Sequence, residues 1–249
     1  MIIVGLTGTI GSGKSTVADF LAEQVEHSGH WESWQLIAEI ATVLRTSGTA
    51  YPKPDDLEAI NDWLRPLSAA LQVATGRTVP LSDIEITTER LQQHPEHYQK
   101  LFEHLERMQR EPDLQTVALT TDTKEALRSL LQWLGGFLIV ITDDGLWYDE
   151  ILRRITAQTN LELATIGGVR FPGESRRIQQ AGGSVVRIER PAIAKRDTAD
   201  LTERQNDQII VSSTLINDGD LQQLQHCTTK LLADLRHKEL AVNYQATSF

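Results

Sequence analysis

A short apolar run, Ile2 to Leu6, passes into Gly8-Thr-Ile-Gly-Ser-Gly-Lys-Ser and then into a helical pattern. The run reads as a buried parallel strand. From Ser15 to Glu26, Val17, Phe20, Leu21 and Val25 fall on one helical face, with Asp19, Glu23 and Gln24 outside it. Strand, glycine loop and helix in that order open an α/β domain. Gly8, Gly11 and Gly13 allow backbone conformations and close approaches that a side chain would block. The N–H groups so freed point inward, where they hold anionic oxygens with the positive end of the following helix.

The eight positions from Gly8 to Ser15 match the P-loop pattern without a departure. The expected ligand is ATP, held by Gly8, Thr9, Ile10, Gly11, Ser12, Gly13, Lys14, Ser15 and Thr16. Lys14 supplies a mobile cation between the terminal phosphates, and the Ser15 hydroxyl is the expected ligand of Mg2+. The competing readings are a glycine-rich turn joining two elements, and a cradle that binds nucleotide without catalysing anything.

Charge narrows the partners. The 249 residues carry a net charge of −10, with a sequence pI of about 5.2. Such a surface repels a phosphate backbone, so nucleic acid is not an expected partner. Cys227 is the single cysteine, which excludes an internal disulfide and a cysteine-rich zinc cluster and fits a cytoplasmic protein. No positive cluster precedes the first apolar run, and no segment offers about 18 uninterrupted apolar residues, so neither a signal peptide nor a membrane span is expected.

Further on, Trp34 to Arg45 fits either strand-then-helix or helix alone. Tyr51-Pro-Lys-Pro-Asp is a break before a helix expected from Asp55 through Leu71, and Leu91 to Leu134 is mostly helical in pattern. Residues 50–134 therefore read as a helical insertion within a single domain. Phe137 to Ile141 fits a strand or the buried end of a helix. Trp147 to Thr156, Glu174 to Gln180 and Leu221 to Arg236 read as helices. Leu163 to Val169, Ser184 to Ile188 and Ile209 to Leu215 read as strands.

Three features recur between Leu130 and Arg190: Leu131-Gln-Trp-Leu-Gly, Trp147 with its helix, and Val169-Arg-Phe-Pro-Gly-Glu leading to Gly182-Gly-Ser-Val-Val-Arg-Ile-Glu-Arg-Pro. Here the chain resembles the phage and bacterial deoxynucleoside monophosphate kinases. Val4-Gly-Leu-Thr-Gly-Thr-Ile-Gly-Ser-Gly-Lys-Ser-Thr-Val-Ala also looks like dephospho-coenzyme A kinase. The resemblance covers the first 30 or so residues and roughly 130 to 225. It implies a three-layer P-loop NTPase fold, a parallel sheet between helices, and phosphoryl transfer from ATP to a small-molecule phosphate acceptor. Arg170 would then face the ligand crevice from a strand end, and Arg187 or Arg190 would approach the phosphates. Lys14, Arg170 and Arg190 are the expected catalytic cations, since charge spreads over the transferred group. A lid is expected at about 190–206, with Arg196 within it. Two departures stand out: Gly168 replaces the aspartate before the Val-Arg pair, and Asp200-Leu-Thr-Glu replaces a His-x-Ser-Glu-like segment. Both favour altered substrate or an ATP-binding switch without acceptor turnover.

The remaining candidates have competing readings. Asp143 and Asp144 fit a turn capping the helix near Trp147, or the acidic end of a Walker B strand. Glu39, Arg45 and Arg65 fit solvent-facing helical positions, or contacts to an acceptor. Arg176 and Arg177 begin a helix, with one expected to be exposed. His94, His97 and His104 share a helical spacing, read as a solvated face rather than a metal site. Trp31, Trp34, Trp63, Trp133 and Trp147 read as core or groove anchors, with Trp147 the one placed by resemblance to stack on an acceptor base.

Overall fold

The computed structural model of the chain describes residues 1–48, 50–192 and 208–246. In chain order the elements are β1 (Ile2–Thr7), α1 (Lys14–Glu23), β2 (Ser28–Trp31), α2 (Ser33–Thr46), α3 (Leu57–Leu64) and α4 (Pro66–Thr75). Then come α5 (Leu81–Ile84), α6 (Thr88–Gln93), α7 (Gln99–Arg110), α8 (Arg128–Ile141) and α9 (Leu146–Thr156). The chain ends with β3 (Leu163–Ile166), α10 (Pro172–Gln180), β4 (Ser184–Glu189), β5 (Ser213–Ile216) and α11 (Leu221–Ala246). They divide into two compact units, one of Met1–Ser33 with Tyr148–Phe249, the other of Trp34–Trp147.

The first unit is built on a five-stranded, all-parallel sheet in the order β2-β3-β1-β4-β5. Every residue of the central strand β1 is buried. Its alternate side chains Ile2, Val4 and Leu6 enter one cluster with Val17, Ala18 and Leu21 of α1 and Leu224, Leu231 and Leu232 of α11. On the opposite face Gly5 lets Ile178 of α10 come close: a Cβ there would stand 2.7 Å from Ile178 Cδ1. Covering both faces is what a parallel sheet requires, since neither face tolerates water. The unit is therefore an α/β fold with helices flanking a parallel sheet.

Several expectations shift. The segment at 34–45 is helix alone, and the strand lies earlier, at β2. Ser28-Gly-His-Trp has no apolar run; pairing with β3 at the sheet edge makes it a strand. The helix expected over 55–71 is two, because Pro66 cannot continue the ladder of α3 and instead opens α4. The strand expected at Ile209 begins only at Ser213. Phe137 to Ile141 is the end of α8, in which Leu130, Trp133, Leu134, Phe137 and Leu138 are buried at helical spacing. The expected lid is described only at its beginning; Arg196 and Asp200-Leu-Thr-Glu lie outside the described residues. No single helix among the described residues is long and apolar enough to cross a membrane.

The second unit is helical and runs beyond 50–134 on both sides. Its core holds Trp63, Leu101, Leu105, Met108 and Trp133, with Trp133 stacked on Phe137 at 5.0 Å. His104 of α7 is fully buried, and neither ring nitrogen has a hydrogen-bond partner among the described residues. Burial, with Arg45 and Arg107 nearby, lowers its pKa from 6.5 to about 3. The imidazole is thus held neutral while the unfolded chain protonates below pH 6.5. This native state therefore weakens as pH falls below 6.5, by about 1.4 kcal/mol per pH unit, until the folded value is passed. Urea titrations of wild type and His104→Leu between pH 7 and 4 check this; the variant should lose that part of the slope.

Candidate functional site

Chain order reverses about β1: β2 and β3 lie on one side of it, β4 and β5 on the other. In open α/β sheets such a reversal leaves a crevice at the carboxyl ends of the strands. The loop Gly8–Gly13 leaves β1 at that edge and returns as α1. Gly8 (φ 135°), Gly11 (80°) and Gly13 (103°) all take left-handed backbone. A Cβ on Gly8 would stand 2.2 Å from the Ile188 carbonyl oxygen, and one on Gly13 2.7 Å from Asn217 Nδ2. Only glycine satisfies both conditions at these two positions.

Lys14 Nζ turns back over the loop and donates to the Gly8 and Thr9 carbonyls, each at 2.8 Å. The ammonium is thereby held at the loop's rim. Ser12 is fully buried, its N–H donating to Thr9 O at 3.2 Å and its hydroxyl lacking a partner among the described residues. No side chain caps α1 at Gly13, and its first turn holds no acidic residue. The first amides of a helix lack intrahelical acceptors, so this end suits an anion. Ile10 stands exposed at the loop tip.

Beside the loop lies a cavity of about 500 Å³, lined by Gly11, Gly13, Lys14, Ser15, Thr16 and Arg190 and by Asn217, Gly219, Asp220, Leu221 and Leu224. That volume is in the range of small-ligand pockets. The cavity brings together most of the expected phosphate-binding positions with one expected arginine. Asn217 was not expected here. Its Nδ2 donates to Ser12 O at 2.8 Å, and its own N–H to Glu189 O at 2.7 Å, tying the ends of β4 and β5 to the loop. The sequence signal was Asn217-Asp-Gly directly after a strand, which also fits an ordinary turn. Asn217→Ala should leave the buried Ser12 carbonyl without its donor and lower stability by about 1–3 kcal/mol, read as a drop in Tm.

Arg170 is not among the residues lining this cavity. It follows β3 through Gly167, Gly168 and Val169, and its backbone N–H donates to Glu174 Oε2 at 2.7 Å, as does that of Phe171 at 3.0 Å. Burial raises the Glu174 pKa to about 7, against these two backbone donors and Tyr148. Burial, with Glu174 beside it, also holds the Tyr148 hydroxyl well above its ordinary value. Gly168, which departs from the aspartate of the resembled pattern, has φ 71° and nothing within 4 Å of a Cβ position. Arg187 lies within β4, and its Nη2 donates to Ile209 O at 3.1 Å. Arg176 is exposed, while Arg177 pairs with Asp149 at 3.0 Å.

In the helical unit the alternatives resolve toward structural roles. Asp143 follows a helix rather than a strand, pairs with Arg77 at 2.9 Å and accepts from Gly145 N–H at 2.8 Å, which removes the Walker B reading. Arg45 donates to Tyr51 Oη and to the carbonyls of Leu114, Gln115 and Val117. Arg65 pairs with Asp62, and Glu39 is exposed on α2. Trp147 is buried and donates to Gly135 O at 3.1 Å, so it anchors the core and has no face open for stacking on a base.

Neither a protein-family model nor a curated protein matches the sequence. Among solved structures, the crystal structure of TT1252 from Thermus thermophilus aligns over 94% of this chain and 97% of its own, at 14% identity and a TM-score of 0.39.

Proposed function

We propose that the Gly8–Ser15 loop is the P-loop of a P-loop NTPase fold, and that the protein transfers the terminal phosphoryl group of ATP to a small nucleotide-like acceptor. A (deoxy)nucleoside monophosphate is the first acceptor to test, on the resemblance of Val169-Arg-Phe-Pro and Gly182-Gly to Arg190-Pro. The observation that carries the reading is the glycine loop itself: three left-handed glycines at the carboxyl end of the central strand, opening into an uncapped helix N-terminus. Loop amides and Lys14 would hold the β- and γ-phosphates. Ser15 would hold Mg2+, which supplies charge neutralisation to the phosphates when bound. The Ser15 and Thr16 positions on the cavity wall fit that role. The γ-phosphoryl group passes from the β-phosphate oxygen of ATP to an acceptor oxygen, leaving ADP. Arg190, which lines the cavity, would offset the charge on the nucleotide side, and Arg170 would serve the acceptor from beyond the end of β3.

A second reading is a nucleotide-binding switch without acceptor turnover. It is favoured by Gly168, which removes a carboxylate from the strand end nearest Arg170. An acceptor screen separates the two. Purified protein with Mg-ATP is offered nucleoside and deoxynucleoside monophosphates and dephospho-coenzyme A, and ADP formation is followed. Acceptor-dependent turnover supports the kinase; nucleotide binding with no acceptor-stimulated turnover supports the switch.

A further inference from the structure

The helical unit carries a second group of ligating side chains, unrelated to the glycine loop. His94 Nδ1 and His97 Nε2 each lie 3.6 Å from Glu96 Oε1, and the three donor atoms all fall within 4.8 Å of one another. The two imidazole rings stack with centroids 5.0 Å apart and planes 11° from parallel. We propose that His94, Glu96 and His97 form a binding site for a divalent cation of the zinc class.

The donor chemistry selects that class. Two neutral imidazole nitrogens and one carboxylate oxygen suit zinc, cobalt(II) or nickel(II), whereas magnesium demands six oxygens in near-octahedral array. With zinc–nitrogen bonds of about 2.0–2.1 Å, tetrahedral donors stand about 3.4 Å apart. The two nitrogen–oxygen separations are close to that already, and small rotations of exposed side chains bring the third into range. Three protein ligands leave one position for water.

The backbone makes the turn a fixed platform. His94 N–H donates to Arg90 O at the end of α6, His97 N–H to His94 O at 3.1 Å, and Tyr98 N–H to Pro95 O at 3.1 Å. Pro95 occupies the first position of this turn and restricts it further. Just beyond, Tyr98 is buried, with its ring 5.9 Å from that of Phe137, so the turn is pinned to the core of its unit. The adjoining groove is lined by Glu96, Glu103 and Glu106 with Pro95, Gln99 and Phe102; Lys100 offsets Glu103. That negative wall favours cation approach. His94 and Glu96 are exposed, so the ion would exchange readily and brace the turn ahead of α7.

The test is titration of the metal-free full chain with zinc chloride by calorimetry, and with cobalt(II) followed by visible absorption. One equivalent of zinc should bind, excess magnesium should not displace it, and cobalt should give the intense absorption of a tetrahedral centre. His94→Ala/His97→Ala should keep its far-UV circular dichroism and bind at least about tenfold more weakly, since losing even an outer-shell partner costs about 10–100-fold. Zinc should raise the Tm of wild type and leave that of the variant unmoved. Unchanged affinity in the variant would assign the ion to Cys227 or other histidines and overturn the proposal. So would a weak octahedral cobalt spectrum, or no zinc binding by wild type at millimolar concentration.

Discussion

Lys14→Ala is expected to lower ATP turnover by at least about 10²–10³-fold, the scale seen when one preorganised charge-stabilising donor is removed from a transition state. The lysine sits with its ammonium between the Gly8 and Thr9 carbonyls, already at the rim of the loop. An incoming triphosphate offers that ammonium stronger, charged acceptors than two neutral carbonyls. Removing it takes a mobile cation from the point where the account places the β- and γ-phosphates. The measurement is ADP release at saturating acceptor, with circular dichroism confirming the fold. If turnover persists within a fewfold of wild type, Lys14 does not contact the transferred group.

Gly8→Ala should act through shape instead of charge. The added methyl would stand 2.2 Å from the Ile188 carbonyl oxygen, a backbone atom of β4 that has no rotamer with which to yield. Gly8 also sits at φ 135°, a conformation that costs a residue with a Cβ on the order of 1–3 kcal/mol. The loop must move away from β4, disturbing the Ser12 hydroxyl, which would be 3.0 Å from the same methyl. Nucleotide affinity should fall at least about tenfold, a loss of about 1.4 kcal/mol or more, with a lower Tm. Equilibrium binding of a fluorescent ATP analogue, beside a thermal melt, reads both. Unchanged affinity would mean that the loop conformation does not matter for the ligand.

How much of this was legible in the sequence depended on how local each cause was. The Gly8–Ser15 loop could be read because every requirement, strand before, glycines within and amphipathic helix after, lies inside one stretch of chain. β1 and β4 were legible because their apolar runs need no partner to be recognised. β2 was not, since Ser28-Gly-His-Trp becomes a strand only by pairing with Leu163–Ile166, more than a hundred residues away. Phe137 to Ile141 is ambiguous because a short apolar run carries no period of its own; Trp133 and Leu130, one and two turns earlier, decide for helix. Asn217 escaped notice for a similar reason. Its role comes from a hydrogen bond to Ser12, across 205 residues of sequence. The histidines show the reverse error: spacing alone grouped His104 with His94 and His97, yet the first is buried in the core and the other two share a carboxylate at the surface.

The central claim is that the Gly8–Ser15 loop receives the phosphates of a nucleoside triphosphate, and titration of the full chain with Mg-ATP by isothermal calorimetry addresses it most directly. Saturable binding of one nucleotide per chain is expected, lost or strongly weakened in Gly8→Ala and in Lys14→Ala. Absence of any heat of association at several temperatures, or binding that both variants retain at full strength, would contradict it.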